Sequence, residues 1–199
     1  MNEIEILRAL GKKRVLNLLE VHETEDSIYL VTDCGNNLNL KKLLKAASYP
    51  FSLGKMKTIM YQLLKILARM ASKKIVHRNL KPSNILIEEK DNIRLINFGL
   101  AIYINGPQAN VGICGTPGYI APEIFNCHPE DRFYDDKFDV FSVGCIFFEM
   151  LCGFPLFEGS NSSEISASNK NFKYSDLVQL VIKEQNGSKP HSTKLGLIL

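Results

Sequence analysis

The stretch that most constrains the fold is residues 75–99, IVHRNLKPSNILIEEKDNIRLINFG. Two short apolar runs, Ile85–Ile87 and residues 93–96, flank an acidic, Asn-containing turn at residues 88–92, a pattern that predicts a β-hairpin. A basic loop, residues 77–84, leads into the first strand, and an Asn97-Phe98-Gly99 step follows the second. A hairpin fed in this way brings Lys81, Asn84 and Asn97 to neighbouring strand ends, where polar groups can converge on one ligand.

The chain around this stretch is mostly helical in pattern. Ile4, Leu7 and Leu10 recur at helical spacing and Gly11 closes a short amphipathic helix. Residues 15–21 and Ile28–Thr32 read as two strands, with residues 23–27 turning between them. Leu40, Leu43 and Leu44 give a short helix within residues 36–48. Met56, Ile59, Met60, Leu63, Leu64, Leu67 and Met70 then mark the core face of a long helix whose wet side carries Lys57, Gln62, Lys65 and Arg69. Residues 100–114 read as irregular, with a turn signal at Asn105-Gly106-Pro107. The run up to Cys152 is apolar nearly all round, which predicts a helix buried on every side and stopped by Gly153. Beyond Ser160 only residues 176–183 offer a further short helix.

Composition narrows the class. A net charge of +3 argues for neither nucleic acid nor a membrane surface, and no apolar run reaches membrane-spanning length. The acidic N-terminus, MNEIEILRAL, is unlike a signal peptide. Cys34, Cys114, Cys127, Cys145 and Cys152 are odd in number and show no CxxC spacing, so reduced thiols in a cytoplasmic protein are expected. Asn161-Ser162-Ser163 matches a glycosylation sequon, read in that compartment as chance.

The order of residues in the opening stretch resembles the eukaryotic-type protein kinase family, whose catalytic loop reads H-R-D-L-K-x-x-N and whose metal-binding step reads D-F-G. Both aspartates of that pattern are asparagine here, Asn79 and Asn97. Residues 115–123, GTPGYIAPE, resemble the docking loop and A-P-E end of the activation segment, in the form found in calcium/calmodulin-dependent serine/threonine kinases. Leu80-Lys81-Pro82 also resembles the serine/threonine class. Asp139-Val-Phe-Ser-Val-Gly144 resembles D-x-W-x-x-G with Phe141 for tryptophan. The resemblance runs from Glu3 to about Gly159. It implies an α+β protein-kinase-like fold: a mainly α-helical C-lobe over residues 36–159, a truncated N-lobe of one helix and two strands over residues 1–35, and a divergent tail over residues 160–199.

Roles follow by the same resemblance. Asn79 stands at the catalytic aspartate and Lys81 at the phosphate contact; Asn84 and Asn97 stand at the metal ligands. Thr32, Asp33, Cys34 and Gly35 fall on the gatekeeper and hinge of an adenine pocket whose floor is Leu86. Glu3 falls on the helix glutamate that pairs with the ATP-binding lysine, and Thr116 on the docking-loop threonine. Leu7, Leu18, His77 and Phe98 match an internal column of packed side chains anchored by Asp139. Arg78 matches a residue that recognises activation-segment phosphate, yet between Asn97 and Gly115 the only hydroxyl is Tyr103.

The departures are equally specific. No room precedes Glu3 for a Gly-rich loop or a V-A-I-K lysine, neither pattern occurs elsewhere, and no arginine beyond Arg132 is available to Glu123. A carboxamide cannot serve as a base near neutral pH, a loss worth about 10²–10⁴ in rate. It is also a weaker ligand than carboxylate for Mg²⁺. The expectation is a catalytically impaired kinase relative in which ATP and Mg²⁺ bind weakly or not at all. Its partner would be another protein (a kinase, a kinase substrate or a regulator), engaged as scaffold, as competitor or by strand addition at the open edge of Ile28–Thr32. Nucleic acid and membrane are not expected partners. Weak serine/threonine phosphotransfer, or a truncated product of a longer gene, are the alternatives.

Overall fold

Apolar residues three and four apart make α1, Asn2–Leu10, bury Ile6, Leu7 and Leu10. Gly11, at φ 59, ends it by donating its N–H to the Leu7 carbonyl at 2.9 Å. The computed structural model describes residues 2–35, 38–46, 51–104, 106, 112–126, 134–173 and 175. The antiparallel pair β1, Leu18–Glu23, and β2, Ile28–Thr32, follows the helix. β1 begins later than the expected residue 15. Arg14 takes a left-handed φ of 62, and buried Val15 pairs in parallel with Leu95 of the central hairpin. Main-chain bonds from Leu16 N–H to Leu95 and from Leu95 N–H to Arg14, each 3.0 Å, stitch this segment to the hairpin.

α2, Leu40–Ala46, is short and buries Leu40. α3, Leu53–Ser72, is the longest helix; the Ser52 hydroxyl accepts from the Lys55 N–H at 3.2 Å and caps it. Its buried stripe includes Met56, Ile59, Leu63, Leu67 and Met70, as its spacing predicts. Two positions differ from that reading. Leu64 is exposed at 49%, whereas Gln62 is buried at 4%. Gln62 is spent on the hairpin turn: its Nε2 donates to the Asp91 carbonyl at 2.8 Å, and its Oε1 accepts from Ile93 N–H at 3.1 Å. A polar residue is tolerated there because it satisfies backbone groups that the strands leave over.

β3, Ile75–Val76, precedes a 3-10 turn at Pro82–Asn84. The hairpin itself is β4, Ile85–Ile87, paired antiparallel with β5, Ile93–Leu95, through a tight turn at Glu89–Asp91 in which Lys90 and Asp91 have φ near +57 and +56. β6, Ile102–Tyr103, pairs with β3 inside the stretch expected to be irregular. Two residues are too few to show a strand period. Asn105 and Pro107 of the expected turn lie outside the described residues.

α4, Pro122–Asn126, leads to α5, Lys137–Cys152, ended by Gly153 at φ 81. α5 is not buried on every side. Phe147 and Leu151 are half-buried and line a shallow apolar depression with Met60, Tyr61 and Leu64 of α3. α6, Ser162–Lys170, lies where the sequence pattern offered no helix. Its signal is a reciprocal cap: Asn161 Oδ1 accepts from Glu164 N–H at 3.0 Å, and Asn161 Nδ2 donates to Glu164 Oε1 at 3.0 Å. The sequon asparagine is thus a helix cap. The expected helix at residues 176–183 lies outside the described residues. One core joins α1, α3, the hairpin and α5, so the fold is α+β with the hairpin at its centre. Among the described residues no helix is long and apolar enough to cross a membrane.

Candidate active site

The loop before the hairpin is held from below by one carboxylate. Asp139, in the first turn of α5 and 3% exposed, accepts the His77 N–H at 2.7 Å and the Arg78 N–H at 3.0 Å. Arg78 sits at φ 62, so the loop reverses sharply while both N–H groups point to one acceptor. Burial raises the Asp139 carboxyl to about 7, against the pull of those two N–H groups and of the Arg78 charge. The His77 ring meets Phe98 edge-on at 4.8 Å. Its Nδ1 accepts from Asn79 N–H at 3.2 Å, which assigns the proton to Nε2, where it donates to the Ile96 carbonyl at 3.1 Å. Leu7 and Phe98 are buried in the same core and Leu18 packs against it.

Burial holds His77 down at about 4, below its ordinary 6.5, despite its bond to Ile96. It therefore contributes stability above pH 6.5 that is lost as pH falls through 4. Asp139 has the opposite sign: its contribution is full below its ordinary 3.8 and is lost as pH rises through 7. Between these limits the two slopes oppose each other. The variant His77→Phe is accordingly expected to show stability that declines from pH 5 to pH 7 relative to the wild-type chain, measured by urea denaturation at both pH values. Parallel pH profiles for the two chains would contradict this.

Beside the strand ends Asn79, Lys81, Asn84 and Asn97 are linked in one network that also includes Thr116. The Asn84 Nδ2 donates to the Asn79 carbonyl at 2.7 Å, and the Asn97 Nδ2 reaches Asn84 Oδ1 at 3.4 Å. The Lys81 ammonium donates to Thr116 Oγ1 at 2.8 Å, and Thr116 in turn donates to Asn79 Oδ1 at 2.8 Å. Lys81 is made less basic by burial first and by nearby Lys41 second. Asn97 has φ 68, a conformation that Asn tolerates better than most residues. Glu3 lies against this corner: a Cβ built on Gly99 would sit 3.6 Å from Glu3 Oε2 and 3.8 Å from Asn97 Oδ1. Among the described residues no basic side chain comes within ion-pair distance of Glu3.

Of the residues expected at the hinge, Gly35 lies against Leu86 of the hairpin. Thr32 pairs with Leu18, and Leu86 is bridged to Asn39. Gly35 passes so close to Leu86 that a Cβ would meet its Cδ1 at 2.6 Å. The Asp33 carboxylate is spent structurally. It accepts from Asn17 N–H at 2.9 Å and pairs with Arg94, which also binds Glu88 at 2.7 Å.

The segment after the hairpin is fastened by motif residues together with Tyr134 and Glu149, which motif reading did not single out. The Arg78 Nε donates to the Leu100 carbonyl at 2.7 Å, and its guanidinium lies 4.9 Å from the centre of the Tyr134 ring. The Tyr134 hydroxyl donates to the Gly112 carbonyl at 3.0 Å and accepts from Cys114 N–H at 3.2 Å. Ser142 donates to the Tyr119 carbonyl at 2.6 Å, and the Tyr119 hydroxyl donates to Glu149 at 2.6 Å. Burial raises both Tyr119 and Glu149.

A loop anchored on a buried aspartate, a hairpin with an asparagine at each end and a clamped GTPGY segment occur together. The protein kinase domain family matches residues 1–195. The chain belongs to the protein kinase family. That match extends past Gly159, where the motif resemblance had ended. The chain is 37% identical over 170 residues to a probable serine/threonine-protein kinase 2 of Plasmodium falciparum, covering 84% of this chain and 32% of the relative. Calcium-dependent protein kinase 3 of Plasmodium yoelii yoelii is 35% identical over 178 residues, covering 86% and 32%. Sperm motility kinase Z of Mus musculus is 30% identical over 199 residues, covering 100% and 38%. The chain thus spans about a third of the length of these relatives.

Kinases of this family typically use ATP with Mg²⁺, and the donor set can be tested for fit. Mg²⁺ is a hard cation that favours anionic oxygen. Asn84 and Asn97 are neutral; the Nδ2 of Asn84 is committed to Asn79, and its Oδ1 faces the Nδ2 of Asn97. Both side-chain oxygens are neutral, a poorer donor set for Mg²⁺ than carboxylate.

Proposed function

We propose that this kinase domain is catalytically impaired and acts by binding another protein, as scaffold, competitor or regulator. The observation that carries the reading is the closed network at the strand ends. Asn79, in the catalytic position, accepts from Thr116 with a neutral oxygen, and Lys81 is spent on the same hydroxyl. A base there would have to take up a proton from a substrate hydroxyl, and a carboxamide cannot. The kinase framework around it is nonetheless intact, from the Asp139 anchor to the Phe98 contact with His77. Cys34, Cys114 and Cys145 are free thiols, which favours the cytoplasm as the working compartment.

A second reading, weak serine/threonine phosphotransfer, is favoured by the Leu80-Lys81-Pro82 loop and by the similarity to serine/threonine kinases. Transfer of labelled phosphate from ATP to a serine/threonine substrate mixture decides between them. With Mg²⁺ present, no incorporation that depends on Lys81 is expected. Turnover abolished by Lys81→Ala would overturn the impaired reading.

A further inference from the structure

Asn169 of α6 is fully buried, at 0% exposure. Its Oδ1 accepts from the Gly118 N–H at 3.1 Å, and its Nδ2 donates to the Ile120 carbonyl at 2.8 Å. One carboxamide on a helix thus satisfies a buried N–H and a buried carbonyl of the loop. The approach is close: Gly118 has φ +89, and a Cβ there would meet Ile165 of α6 at 3.3 Å. Between the two bonded residues, Tyr119 is held from α5 by Ser142 and Glu149. At the head of the loop, Thr116 bonds to Asn79 and Lys81.

We propose that Asn169 is a positioning residue that fixes the 116–121 loop in one backbone conformation and thereby couples α6 to the Asn79–Thr116–Lys81 network. A leucine of similar volume would fill the site, but it would strand Gly118 N–H and the Ile120 carbonyl in the interior, where unpaired groups are costly. The carboxamide is therefore matched to the loop's backbone, not merely to the space. The coupling is independent of whether the site transfers phosphate, so its failure and that of the proposed function are separate results.

The test is amide exchange by NMR on the full chain, corrected for intrinsic rates. The wild-type Gly118 amide is expected to exchange at least about tenfold more slowly than an unstructured glycine, as a buried, bonded amide should. In Asn169→Leu that protection falls about tenfold or more, while interior amides of α3 keep theirs. Asn169→Asp adds a signature that packing alone would not give. Its protonated carboxyl accepts from Gly118 N–H and donates to the Ile120 carbonyl as the carboxamide does; once ionised it still accepts from Gly118 N–H but cannot donate, so the carbonyl-carbon shift of Ile120 is wild-type-like only at low pH. An unprotected wild-type Gly118, unchanged protection in the leucine variant, loss spread equally over α3, or pH-independent behaviour of the aspartate variant would each overturn the proposal. Should the leucine variant not fold, the wild-type and aspartate measurements decide it.

Discussion

Replacing Asp139 with alanine is expected to cost about 2–6 kcal/mol of folding stability, because two buried N–H groups lose their acceptor at about 1–3 kcal/mol each. Those groups belong to the buried residues His77 and Arg78, at 2.7 and 3.0 Å from the carboxylate. Against a total stability of about 5–15 kcal/mol for a domain, the loss is large enough to leave part of the population unfolded. One term works in the other direction. Burial has pushed the carboxyl up to about 7, so keeping it charged is itself unfavourable, and deletion relieves that cost. The loss should therefore fall toward the lower end of the range near neutral pH. Asp139→Asn keeps one acceptor oxygen and turns an NH₂ toward the other N–H, so it should not recover wild-type stability. Urea denaturation monitored by circular dichroism measures both variants. An alanine variant within about 1 kcal/mol of wild type would mean that the two N–H groups find other partners.

That a single aspartate carries so much explains why the sequence was readable at this point. Asp139 and His77 lie 62 residues apart, yet each sits in a short motif with a fixed order, and the hairpin between them has two clear apolar runs. The parts that escaped reading lack any local pattern. β3 and β6 contribute two residues each and exist because their backbones meet across an already folded core. Gln62 sits among apolar residues at polar spacing, so helical periodicity assigns it to water; only the distant turn at Asp91 and Ile93 gives it a reason to be buried. Leu64 shows the converse error, an apolar residue in register with the stripe but beyond the edge of what the neighbouring helix covers. Asn169 and Tyr134 belong to no motif. Their roles are set by bonds to backbone atoms, and a backbone atom leaves no letter in the sequence.

The same logic makes the paired asparagines the place where chemistry can be returned by substitution. Asn97→Asp is expected to convert a hydrogen-bonded pair into one that a cation would stabilise. The Nδ2 that now points at Asn84 Oδ1 from 3.4 Å becomes an oxygen, and two acceptors face each other. Without metal the variant should melt below wild type. With Mg²⁺ it should gain stability, by about 1.4 kcal/mol when the ion is at ten times its dissociation constant, whereas wild type should not respond. Backbone strain does not obstruct the change, since Asp accepts the left-handed conformation at φ 68 nearly as well as Asn. Adding Asn79→Asp places a carboxylate where Thr116 now donates and beside the Lys81 ammonium. That supplies the base, and phosphate transfer to a serine/threonine substrate is expected to rise about 10²–10⁴-fold over Asn97→Asp alone. Thermal melts with and without Mg²⁺ test the first step and labelled-phosphate incorporation the second. If the double variant binds Mg²⁺ and still transfers nothing, the carboxamide at Asn79 is not what limits catalysis, and the limit moves to how the nucleotide phosphates are held.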